Sequence, residues 1–138
     1  MRLFRLENRK DEGVYSRGFA YTLPHANHHV GPEQDPLLKD WWEGKGKSKK
    51  GKYEWEFRDR KEWFFAFESI AQVVDWFPRE ALIALKALAD KHQDTMALSV
   101  YDVSPRKIKR GESQMLFHMP SAEFVERISL QELIDMVK

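Results

Sequence analysis

The densest chemistry in the sequence lies at His25-x-x-His28-His29, three imidazoles within five residues. Imidazole nitrogens bind zinc, and Asp35 would add a fourth ligand. That spacing converges on a helix, but Pro24, Gly31 and Pro32 place the residues in a loop. In a loop, one imidazole bonded to the backbone and the others solvated is the plainer reading, and no metal is expected. The chain has no cysteine, which excludes thiolate zinc sites, iron–sulfur clusters, disulfides and a thiolate nucleophile. His29 could serve as a general acid or base, because an imidazole titrates near neutrality. Asp35 suits the cap of a short helix over Leu37 to Trp42, with Pro36 at its first position.

A second candidate is Gly44 to Lys52, which carries Lys45, Lys47, Lys49, Lys50 and Lys52 among glycines and no apolar residue. Such a segment reads as a flexible loop. It could hold phosphates, but it lacks the Gly-Lys-Ser/Thr ending and strand-to-helix context of a phosphate loop. Trp41, Trp42, Tyr53 and Trp55 flank it. They would stack on bases if the loop binds nucleic acid, or anchor its ends to the core if it does not. The Trp41-Trp42 pair would serve a dimer as easily as a partner. The third candidate is Arg5. Its neighbours Phe4 and Leu6 must face one side of a strand, so Arg5 faces the other. Over a cleft, Arg5 with Tyr15 and Ser69 would bind an anion. Toward solvent, it would pair with a nearby carboxylate at little gain. Arg17 is open to the same two readings.

The elements that position these residues follow from the apolar periodicities. Leu3 to Leu6, Tyr53 to Phe57, Trp63 to Phe67, Met96 to Val103, Gln114 to His118 and Ala122 to Ile128 read as strands, with Trp63 to Phe67 the central one. Ser104 to Gly111 reads as a basic turn. Ser69-x-x-Gln72 and Ser129-x-x-Glu132 are capping boxes that open helices. Pro78 ends the first helix and takes the first position of a second, whose stripe is Leu82, Leu85, Leu88 and Ala89. Trp63, Trp76 and Phe77 belong to the core. The order of elements predicts a single α+β domain over residues 1–138. It has a mainly antiparallel sheet of five or six strands, with Leu82, Leu85 and Leu88 packed on Phe65, Phe67, Val100 and Leu116.

Composition narrows the function classes. With 33% charged and 13% aromatic residues, the chain can bury a core. The net charge of +1 points to no polyanionic partner on global grounds. No apolar run is long enough to cross a membrane, and the charged start has no signal core, so an intracellular protein is expected.

Five short patterns carry a resemblance. They are Leu3 to Glu7, Gly13-x-Tyr15-x-x-Gly18, His29-x-Gly31-Pro32-x-x-Asp35, Phe65-x-Phe67-x-Ser69-x-x-Gln72-x-x-x-Trp76-Phe77, and Gln114-x-x-Phe117. In these the chain resembles a family of small proteins encoded by bacteriophages and prophages. The resemblance implies an accessory protein of the infected cell's cytoplasm, needing no cofactor. Such a protein binds and blocks a host protein or protein–nucleic-acid complex, including one of host defence. The expected surface is Arg5, Tyr15, Arg17, His29 and Asp35, with Lys45, Lys47, Lys49 and Lys50 as the route to nucleic acid. A fainter resemblance is to ADP-ribosyltransferases, through Arg5, Ser69 and the run Glu112-Ser113-Gln114-Met115-Leu116-Phe117. It implies an NAD-using enzyme with Arg5, Ser69 and Glu112 as catalytic residues, or else an NAD- or nucleotide-binding protein. The family's carboxylate position is occupied by Gln114, whose amide cannot stabilise the cationic centre formed as nicotinamide leaves.

Overall fold

The computed structural model of the protein describes residues 1–14, 19, 23–24, 60–111 and 115–137. Among these residues are six strands: β1 (Arg2–Glu7), β2 (Trp63–Ala66), β3 (Ala97–Asp102), β4 (Ile108–Arg110), β5 (Met115–His118) and β6 (Glu123–Ser129). The helices are α1 (Ile70–Trp76), α2 (Arg79–Lys91) and α3 (Leu130–Met136). The class is α+β and every strand pair is antiparallel, as the order of elements predicts. The strands are divided between two sheets, β1-β3-β6 and β2-β5-β4, rather than joined in one. The described residues form two compact units, one with the first sheet and the helices, the other with the second sheet.

Local signals set the helix ends. The Ser69 hydroxyl accepts from Gln72 N–H at 3.1 Å, and the Gln72 side chain accepts from Glu68 N–H at 2.9 Å. The capping box is therefore closed one residue further back than its usual form. Ser129 caps α3 by accepting from Glu132 N–H. Pro78 sits outside α2 as its cap residue, not at the first helical position, because its ψ of 166° is extended. α2 ends in a Schellman turn, with Asp94 N–H bonded to Ala89 C=O at 2.8 Å and Gln93 N–H to Asp90 C=O at 3.2 Å. Gln93 occupies the left-handed position of that turn at φ 54°.

The main core lies between the first sheet and the helices. Leu82 and Leu85 of α2 are buried with Phe67, Val73, Leu98, Val100, Leu133 and Ile134, and Leu88 packs on the same cluster. Phe65 and Leu116, which the sequence reading placed with these leucines, instead oppose each other across β2 and β5 in the second sheet. β2 stops at Ala66, and Phe67 makes a separate two-bond bridge to Phe4, each bond 2.8 Å. Among the described residues β2 pairs with β5 alone, so the central strand of that sheet is β5. The expected basic turn contains a strand: after a 3-10 turn at Pro105–Lys107, Ile108 to Arg110 pair with β5 as β4. The expected strand over Tyr53 to Phe57 and the loop at 44–52 lie outside the described residues.

Candidate functional site

The two faces of β1 divide as alternation requires. Phe4 and Leu6 join the core, and Arg5 and Glu7 share the opposite face. Antiparallel register sets Arg5 opposite Ser99 and Ser99 opposite Arg127, and sets Leu3 opposite Tyr101. The result is a polar layer on one face of the first sheet. Arg5 Nε donates to Glu7 Oε1 at 2.8 Å, and the Tyr101 hydroxyl donates to the other carboxylate oxygen. The Glu7 side chain is 1% exposed and that of Arg5 12%. Burial pulls the Arg5 guanidinium below its ordinary pKa, and the Glu7 carboxylate opposes that shift. Burial, then the bond to Glu7, pushes the Tyr101 phenol well above its ordinary value. Arg127 ties the layer together, donating to Ser99 Oγ at 3.2 Å and to the Glu7 carbonyl at 3.1 Å.

The loop after β1 closes over Arg5. Asn8, itself buried, accepts at Oδ1 from the N–H groups of Lys10 and Glu12 and donates from Nδ2 to the Glu12 side chain. Arg5 Nη2 donates to the Asp11 carbonyl at 3.2 Å. A Cβ at Gly13 would stand 3.0 Å from Arg5 Nη2, so glycine is what lets the chain pass this close to the guanidinium. The loop and the Schellman turn after α2 enclose a polar cleft of about 260 Å³, lined by Asn8, Lys10, Glu12, His92, Asp94 and Thr95. Asp11 (φ 62°) and Gln93 (φ 54°), the non-glycine residues with positive φ among the described residues, lie in these two turns.

The second sheet carries a different cluster. The His118 ring lies 5.4 Å from the Trp63 ring, its Nδ1 is 2.5 Å from Ser121 Oγ, and its Nε2 is 3.6 Å from Glu62 Oε1. The imidazole is thus held between a hydroxyl and a carboxylate, with the carboxylate beyond hydrogen-bond reach. Lys109 Nζ lies 5.9 Å from the centroid of Trp63, within range of a cation–π contact. Before it run Arg106 and Lys107, and after it Arg110.

Of the residues singled out by sequence, Arg5 sits in the buried pair with Glu7, and Ser69 is the cap of α1. Tyr15, Arg17, His25, His28, His29, Asp35, Lys45, Lys47, Lys49, Lys50, Lys52, Glu112 and Gln114 lie outside the described residues. Among the described residues no group of three His, Asp or Glu side chains could hold a metal ion, and no helix is long and apolar enough to cross a membrane. Sequence reasoning missed Glu7, Tyr101 and Arg127. Glu7 carried a usable signal, since a carboxylate two residues from an arginine on a strand shares its face. Tyr101 and Arg127 carried none, because only register brings them there.

Residues 1–131 match the family described as Bacteriophage T4 Y00F protein, and the chain belongs to that phage family. No curated protein and no solved structure matches it. The phage origin implied by the sequence resemblance is therefore shown at the level of the family.

Proposed function

We propose that this phage protein acts in the host cytoplasm by binding and blocking a host macromolecule, including a component of host defence, without catalysing a reaction. The observation that carries the reading is the engagement of Arg5. Its guanidinium is held by Glu7 and the Asp11 carbonyl in a layer where Tyr101 also donates to Glu7. A transferase would need that arginine facing a dinucleotide. Ser69, the second residue such an enzyme would use, holds the first turn of α1 with its hydroxyl. Both positions thus have architectural partners, which weighs against group transfer through them.

The test pairs a capture with a transfer assay. The tagged protein is incubated with host lysate, with and without nuclease, and separately with labelled NAD and the same lysate. A stoichiometric host complex with no transferred label is the expected result. Label transfer that vanishes in Glu112→Ala would overturn the reading in favour of an ADP-ribosyltransferase-like enzyme. Recovery of no host macromolecule under either lysate condition would also overturn it.

A further inference from the structure

We infer that the 3-10 turn and strand over residues 104–110 form an edge that binds the phosphate backbone of a nucleic acid. The inference rests on the binding reading above and gives its partner a chemical class. Arg106, Lys107, Lys109 and Arg110 supply four cations within five residues, and the stretch 103–111 contains no carboxylate. Arg106 and Arg110 are exposed, Lys107 and Lys109 half-buried. β4 is the last strand in its sheet order among the described residues, and successive side chains of a strand leave on opposite faces. Lys109 and Arg110 therefore leave β4 on its two faces, the Lys109 ammonium lying over Trp63 of β2, so a phosphate chain that crosses the edge meets a cation on each face.

Charge is sorted between the two units. The described residues of the unit that holds β4 carry six basic side chains and one acidic, Glu62, which lies near His118. Those of the other unit carry eight basic and thirteen acidic. The net charge of +1 for the whole chain hides this separation. A polyanion is drawn to the first of these units and repelled by the second.

The same residues argue against a protein partner at this edge. Protein interfaces centre on desolvated apolar and aromatic side chains. Here Ile108 is half-buried, and stretch 104–111 contributes no exposed large apolar side chain. Trp63, the aromatic under Lys109, is only 5% exposed and cannot stack on a base. The edge therefore reads phosphates rather than bases, and binding should vary little with nucleotide sequence.

The experiment is fluorescence anisotropy of a labelled 20-base-pair DNA duplex with the full chain, from 50 to 200 mM KCl. Four phosphate contacts contribute about 3.6 to the salt slope, which over this range is about a 150-fold loss of affinity. In the double variant R106Q/R110Q that slope should fall by about 1.8, so that the loss becomes about 12-fold smaller. The double variant R79Q/K91Q, which removes two exposed cations of α2, should keep the wild-type slope. Circular dichroism confirms that both variants fold. No duplex binding at 50 mM KCl, or an equal change of slope in both variants, would overturn the inference. So would binding to polyglutamate with none to the duplex, which would make the partner an acidic protein. Duplex binding without capture of any host macromolecule would leave this edge standing and refute the blocking function. Capture that survives nuclease, with no duplex binding, would do the reverse.

Discussion

Tyr101→Phe removes a single hydroxyl from the polar layer and leaves the ring, which packs edge-on against Phe124 at 5.9 Å and 75°. The variant therefore removes the bond from the phenol to the Glu7 carboxylate and keeps the ring. A hydrogen bond to a charged group contributes about 1.5–3 kcal/mol. Glu7 keeps Arg5 as a partner, so the cost at pH 7 should lie near the lower end, about 1.5–2 kcal/mol. The phenol pKa is raised in the folded protein, so above pH 10 the unfolded chain loses this proton while the folded one keeps it. Stability then falls with rising pH, by about 1.4 kcal/mol per unit for one proton. Phenylalanine has no proton to lose. The gap between wild type and variant should therefore narrow by about 1 kcal/mol between pH 10 and 11, since about half of the unfolded chains have already lost the proton at pH 10. Urea titrations at pH 7, 10 and 11 measure it, with other groups cancelling in the difference. A gap of the same size at pH 7 and pH 11 would mean the phenol ionises alike in both states, and the buried layer would not hold Tyr101 as described.

Leu85→Ala, at a fully buried position of α2, should cost about 2–5 kcal/mol in urea titration, and a cost below half a kcal/mol would contradict the core packing. Gln93→Gly should stabilise the protein by about 0.5–1 kcal/mol, read as a rise in the denaturation midpoint, because glycine enters the left-handed position without a Cβ penalty. Ser69→Ala should cost about 0.5–2 kcal/mol as a lost helix cap, while Ser69→Asp should retain most of that stability because a carboxylate also caps.

What could be read from the chain divides by range. Ser69 and Ser129 announce their helices because a cap and its partner are three residues apart. The parity of Arg5 was legible for a similar reason, since the flanking Phe4 and Leu6 dictate which way it faces. What stands opposite that face is not local. Tyr101 arrives by pairing with Leu3, and Arg127 through a second pairing on the far side of β3. The same limit explains the single sheet expected in place of two. Alternation marks a segment as a strand without saying which strand it joins, so Phe65 and Leu116 were rightly placed on strands but assigned to the wrong core. β4 was hidden because Ile108 is its one apolar residue, and pairing with β5 rather than its own pattern makes it a strand.

The pairing of Arg5 with Ser99 also bears on how the chain is born. At about 5–20 residues per second, a ribosome needs roughly 5–20 s to travel from one to the other. β6, the other neighbour of β3, follows later still. Throughout that interval the nascent β1 presents Leu3, Phe4 and Leu6 beside two charges it cannot yet bury. The first sheet can therefore be completed only after β6 has left the ribosome. Long-range antiparallel pairing of this kind is slow to search out. A cell making many copies at once would hold a standing population of chains with an unpaired first strand, and the Arg5 and Glu7 charges on that strand would help to keep them from sticking to one another.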